Sequence, residues 1–140
     1  MSTVTDFIDG MSLSKKLSND VYKIENRVSF AATSVSAADV VQVLRIPDNT
    51  LVMKVFVHVV TAEGATCTAT VGDDTTADGW DASINLNSAD ALTYNLEATD
   101  TYGGGKIYQA DDTIDLTMGH DTDAAVIIVS AICASLETDA

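Results

Sequence analysis

The chain has 140 residues and a mass of 14.7 kDa, a length that supports one domain around one substantial core. Hydrophobic residues make up 46%, which excludes a disordered acidic tail. The net charge of -14, with a pI of about 4.1, argues against nucleic acid and anionic membranes as partners, because such a surface repels phosphate.

The charge is uneven along the chain. Residues 1–60 hold six acids and six Lys or Arg, whereas residues 61–140 hold 15 acids against Lys106 alone, so the second part carries the whole excess. Two accounts fit: a solvated acidic face, or a polarised molecule with a neutral part that docks and an acidic part that faces water.

The N-terminus, MSTVTDFIDGMSLSKK, has no basic segment followed by an apolar run, so no secretory signal is expected. Residues 1–23 scatter Val4, Phe7, Ile8, Met11, Leu13 and Leu17 without a clean period. Phe7, Met11 and Leu13 suit one or two helical turns, which Gly10 weakens. This stretch reads as an extended arm that orders against a partner, with a single domain over residues 24–140.

From Ile24 onward, eight strand-like runs follow: IENRVSFAA, VVQVLRI, LVMKVFVHVVT, ATCTATVG, WDASINL, KIYQ, TIDLTM and AVIIVSAICASL. Pro47, Asp48 and Asn49 between the second and third predict a tight hairpin. In the third, Met53, Val55, Val57 and Val59 line one face and Lys54, Phe56 and His58 the other. WDASINL alternates Ala82, Ile84 and Leu86 with Asp81, Ser83 and Asn85. TIDLTM places Asp115 on a wet face opposite Ile114 and Leu116, and residues 87–105 form a long connection ending in three glycines. The last run, apolar on both faces, belongs at the centre of a sheet or in a subunit interface, and its interruption at Ser130 makes it too short to span a bilayer. The pattern predicts an all-β fold: an antiparallel sandwich of about eight strands, jelly-roll-like.

Several residue groups invite a chemical reading. Asp74-Thr75-Thr76-Ala77-Asp78-Gly79 resembles the start of a calcium loop, but the third ligand position is Thr76 and the twelfth is Asn85, not the bidentate acid such a loop needs. The metal candidates are Asp74, Asp78 and Asp81, with Asp73 beside them, and the expectation is that these acids face water and no metal binds. Gly79 is expected to supply a positive φ after an Asx turn at Asp78. Asp111, Asp112 and Asp115 are the carboxylates a hydrolase would use, but a wet face leaves them ordinary. His120, with Asp121 and Asp123, lacks a second histidine, and His58 sits in a strand as a packing residue. Cys67 and Cys133 have no CxxC spacing; buried free thiols are the default in a cytoplasm, and a disulfide stays open if their strands are neighbours. No catalytic constellation and no cofactor site emerges.

Two segments, VGDDTTADGWDASINLN and TYGGGKIYQADDTIDLTM, together resemble small structural proteins of tailed bacteriophages. Those proteins carry a "GDGTDADGYDAS-hydrophobic-DLN" stretch, then a Gly/Tyr loop, then "ADTIDLT". Gly72, Asp73, Ala77, Asp78, Gly79 and Trp80 match in the first motif, continuing through Asp81, Ala82, Ser83, Leu86 and Asn87. Gly105, Lys106, Tyr108 and the run Asp112 to Thr117 match in the second. Asp74 stands where glycine is usual and Trp80 where tyrosine is usual. The resemblance spans residues 66–118 and implies a capsid decoration, or head cement, protein. That implies a jelly roll, often a homotrimer, made in the host cytoplasm and bound to major capsid protein on the exterior of an icosahedral virion, with no catalytic residues. The alternative is a carbohydrate-binding sandwich of a phage fibre or lectin type, which would use Trp80, Tyr94, Tyr102 and Tyr108 as aromatic platforms beside the Asp-rich loops.

Overall fold

Ten strands and no helix occur among the described residues, which are 2–8, 21–94 and 100–136 of a computed structural model. They are β1 (Thr3–Val4), β2 (Val21–Ser29), β3 (Val40–Ile46), β4 (Thr50–Thr61) and β5 (Thr68–Gly72), then β6 (Asp81–Asn85), β7 (Leu92–Tyr94), β8 (Lys106–Tyr108), β9 (Asp112–Met118) and β10 (Val126–Ser135). One sheet has the order β1-β3-β9-β5-β6 and the other β2-β10-β4-β7, with β8 also paired to β4. Every pairing is antiparallel except β1 on β3. Since β7 and β8 share one edge of β4, the sandwich is two four-stranded sheets in jelly-roll order with β1 added at an edge.

Valine and isoleucine at alternate positions explain why the two sheets face each other. On β10, Ile127, Val129, Ala131 and Cys133 point inward and are fully buried, and β2 and β4 flank the strand on both sides. Its other face carries the half-buried Ile128 and Ile132, so the double-sided apolar pattern marks the centre of a sheet. Trp80, Phe30, Leu44 and Ile46 are among the largest fully buried side chains. Burying each such side chain contributes about 1.5–3 kcal/mol.

All eight expected strands are present, and β1 and β7, at two and three residues, were too short to show a period. The run expected from Ile24 begins at Val21. Other differences trace to bulges and to the way the chain changes sheets. The expected hairpin at Pro47 is a corner, because β3 pairs with β9 and β4 with β10 in the opposite sheet. Its turn is anchored from outside: the Asp48 amide donates to Asp111 Oδ1 at 2.8 Å and Leu136 N donates to Asn49 O at 2.9 Å. A register shift near Met53 turns Val52, not Met53, into the core. A second shift, where β5 meets β6, buries Asp81 and leaves Ala82 exposed.

Within the expected arm, residues 2–8 lie on the sandwich. Val40 N donates to Ser2 O at 2.8 Å, Ile8 is buried, and the Phe7 ring meets Phe30 edge-on at 5.4 Å. Asn26 on β2 donates to both Phe7 O and Val43 O, joining the first sheet, the second sheet and the N-terminal segment through one amide. Met11 and Leu13 of the expected helical turns lie outside the described residues.

After Gly72 the chain folds back over its own sheet. A Cβ there would lie 2.1 Å from Thr76 O and 2.4 Å from the Ala77 carbonyl carbon, both backbone atoms that cannot swing aside. Gly72→Ala is therefore expected to destabilise the protein by about 1–3 kcal/mol, whereas Gly64→Ala, in open space, should stay within about 0.5 kcal/mol. Chemical denaturation of both variants checks the contrast.

Candidate functional site

The two motifs singled out in the sequence meet in space. Asp73, at the start of the β5–β6 connection, is 3% exposed and sits under Tyr102, Lys106 and Tyr108 from the second motif. Its Oδ1 accepts the amides of Thr75 and Thr76, both at 3.0 Å, and the Tyr102 hydroxyl at 3.1 Å. Its Oδ2 accepts Lys106 Nζ at 2.6 Å and the Tyr108 hydroxyl at 2.8 Å. Trp80 Nε1 donates to Tyr108 Oη at 3.0 Å, and the ammonium lies 4.5 and 4.6 Å from the centres of the Tyr102 and Tyr108 rings.

Burial alone would raise the Asp73 pKa, but the Lys106 bond, the Thr76 amide and the Tyr108 hydroxyl outweigh it and hold the carboxyl below its usual range. Burial likewise disfavours the Lys106 cation, and the Asp73 carboxylate overcomes this to raise its pKa. Both groups are paired in their charged forms, and both Asp73 oxygens accept two or more hydrogen bonds. Such a cluster holds chain segments in place.

This overturns the expectation that the acids of this loop all face water, because Asp73 and Asp81 are buried. The Asx-type turn is at Asp73, not Asp78. Gly79 is not in the left-handed region either; a Cβ on it would strike the Tyr102 ring at 2.3 Å, so glycine is required there for packing. The signal available in the sequence was Lys106, a lone cation among 15 acids.

Asp115 departs furthest from expectation. It lies on β9 at 3% exposure beneath the folded-back loop, not on a wet face. Burial pushes its carboxyl up to about 7, and Asp74 and Asp112 add to this against the bond from Thr113 Oγ1 at 2.6 Å. Asp112 is also raised, first by burial and then by the charges of Asp73 and Asp74. Asp111 caps the Asp48 amide instead of pairing with these two.

Of the metal candidates, Asp74 turns toward Asp115, Asp78 is exposed, and Asp81 Oδ1 accepts the Ser83 amide at 2.9 Å. Among the described residues no three His, Cys, Asp or Glu side chains gather as an ion site. His120 Nδ1 accepts the Thr68 amide at 3.2 Å, and Asp121 accepts that of Ala37 at 2.8 Å. Glu63, unremarked in the sequence, is buried and accepts the amides of Asp123, Ala124 and Ala125, which hold it ionised against its burial. Cys67 and Cys133 are both free and buried; Cys67 shares a hydrogen with Thr122, and burial pushes the Cys133 thiol up to about 12.

The fold and this site define a jelly-roll β-sandwich braced at one end by a buried polar cluster. No protein-family model and no curated protein matches the sequence. Solved structures do share the fold. A chain from the capsid of Ralstonia phage GP4 superposes with a TM-score of 0.71 at 12% identity, covering 97% of this chain and 99% of that one. A chain from the cyanophage Pam1 capsid asymmetric unit gives 0.64 at 13% identity over 89% and 91%. One from the acidic stable capsid structure of Helicobacter pylori bacteriophage KHP30 gives 0.60 at 13% over 86% and 94%.

Two outcomes follow from the cluster. Lys106→Met leaves the buried Asp73 carboxylate uncompensated and should cost about 3–5 kcal/mol in urea unfolding; a loss below about 1 kcal/mol would show that the pair does not brace the fold. The pH dependence combines two opposite signs. A carboxyl raised in the fold, as Asp115 is, favours folding fully below its ordinary value of 3.8, and that contribution is lost as pH rises through about 7. Asp73, held low, stabilises the fold above its ordinary 3.8 and loses that as pH falls. The melting temperature should peak between about pH 4 and 6, and Asp115→Asn should flatten the decline toward about pH 8 in thermal scans.

Proposed function

We propose that this chain is a virion structural protein that decorates and cements the exterior of an icosahedral phage head by binding major capsid protein subunits. Its support is the end-to-end fold match to a chain of the Ralstonia phage GP4 capsid, reached independently of the two motifs. Those motifs resemble decoration proteins, and their matching residues Asp73, Lys106 and Tyr108 lock together in the buried cluster, joined by Trp80 at the position where tyrosine is usual. What the motifs preserve is therefore the brace of a scaffold. The role is binding and not catalysis, and it calls for no cofactor. In this reading the protein is made in the host cytoplasm, assembles as a homotrimer, and adds a modest interface many times over around the shell. In the same reading the stretch before β2 acts as the arm of a single sandwich domain.

The carbohydrate-binding alternative loses three of its four platforms. Trp80, Tyr102 and Tyr108 are 1%, 8% and 3% exposed, and the Tyr94 side chain lies outside the described residues. A ring packed inside the sandwich cannot stack on a sugar.

Mass spectrometry and cryo-electron microscopy of purified particles of the parent phage test the proposal. The expected result is multiple copies of this chain in density on the outer head surface. Its absence from the head shell would refute the role.

A further inference from the structure

No described strand packs on the outer face of the β2-β10-β4-β7 sheet. The three large hydrophobic side chains most exposed among the described residues, Val21, Leu92 and Ile107 at 60%, 55% and 53%, all belong to strands of this sheet. The ladder register aligns them into rows. Val21 pairs with Ala134, Ala134 with Leu51, and Leu51 with Ile107, giving one apolar row across four strands. A second row runs Arg27, Ile128, His58, Leu92. Cross-strand partners point to the same side, so both rows share one face.

Among the described residues, this face is also where the exposed cations are. Of the five Lys and Arg in the described residues, Lys23, Arg27 and Lys54 are here, while Lys106 is in the buried cluster and Arg45 is on the other sheet, donating to Ile8 O. Lys23 is paired with Glu25 at 3.2 Å, which leaves Arg27 and Lys54 outside any ion pair among the described residues. Among the described residues, three cations against Glu25 give this face +2 on a chain of -14.

We infer that this face docks a different protein, one presenting apolar side chains ringed by carboxylates; because this rests on the decoration role, that protein is the capsid shell subunit. A second copy of the chain does not supply the complement. Face to face, it would oppose two +2 surfaces; head to tail, it would offer acids without large exposed apolar groups from the described residues, since all three of those lie on this same face. Strands of 9, 10 and 12 residues about 4.8 Å apart, edged by the two three-residue strands β7 and β8, outline a footprint of roughly 600 Å², short of the roughly 800 Å² that each partner contributes to a standard interface. Weak single contacts multiplied over a shell suit that size.

Sedimentation of the purified protein with head shells stripped of it tests the inference. Arg27→Glu/Lys54→Glu and Leu92→Ser/Ile107→Ser should each weaken binding about tenfold or more, and wild-type binding should weaken with salt. Thr70→Lys/Ser83→Lys on the opposite sheet should bind as wild type does, and circular dichroism melts confirm that each variant is folded. Wild-type affinity in both face variants overturns the inference while leaving the decoration role intact. Failure of the wild-type protein to bind shells removes the decoration role and the inference with it. A solution mass showing that the face variants dissociate a wild-type oligomer makes the occupant a second copy and also overturns it.

Discussion

One ionised carboxylate ties together the parts of this sandwich that the ladders leave apart. Asp73 sits at the end of β5 in one sheet, and Lys106 and Tyr108 come from β8 on the edge of the other. Tyr102, from the connection before β8, closes the group, and Trp80 joins through Tyr108. Backbone hydrogen bonds run within a sheet and do not position one sheet on the other. Apolar packing does so without direction. The cluster adds direction, because Asp73 is satisfied only when four side-chain and backbone segments converge. A buried pair of this kind adds little net stability over an apolar substitute, yet an unpaired member is costly, so the arrangement selects one packing among several.

The same logic organises the acids around it. The loop after Gly72 folds onto its own sheet to bring Thr75 and Thr76 to Asp73, and in doing so it covers Asp115. Closing the hub therefore creates a second, unfavourable burial of a carboxyl without a cation. Lys106 is spent on Asp73 and Asp115 is left with Thr113. Tolerance of that arrangement depends on Asp115 holding its proton, which links the loop's packing to pH.

At the level of strands, much of the molecule was legible in the order of residues. Alternation of valine and isoleucine located the eight main strands, and the two-sided apolar pattern of residues 126–135 placed that strand at a sheet centre. The errors are local and share one cause. A single inserted residue at Met53 or between β5 and β6 inverts the inward and outward positions beyond it, and nothing in composition marks the insertion. Pro47-Asp48-Asn49 was legible as a turn, but whether a turn joins paired strands or crosses between sheets depends on partners that lie 60 or more residues away.

For the site, the sequence by itself determined the ingredients: an acidic second part with one lysine, a glycine-rich loop, three aromatic residues and a β-sandwich to hold them. It determined too that the chain's cations are concentrated in the first part, the source of the basic patch on β2 and β4. Only the tertiary structure decided which aspartate meets Lys106, that Trp80 and the two tyrosines turn inward, and that Asp115 is dry. Burial and charge pairing arise between segments about 30 residues apart in sequence and in contact in space, so no local pattern of residue types carries them.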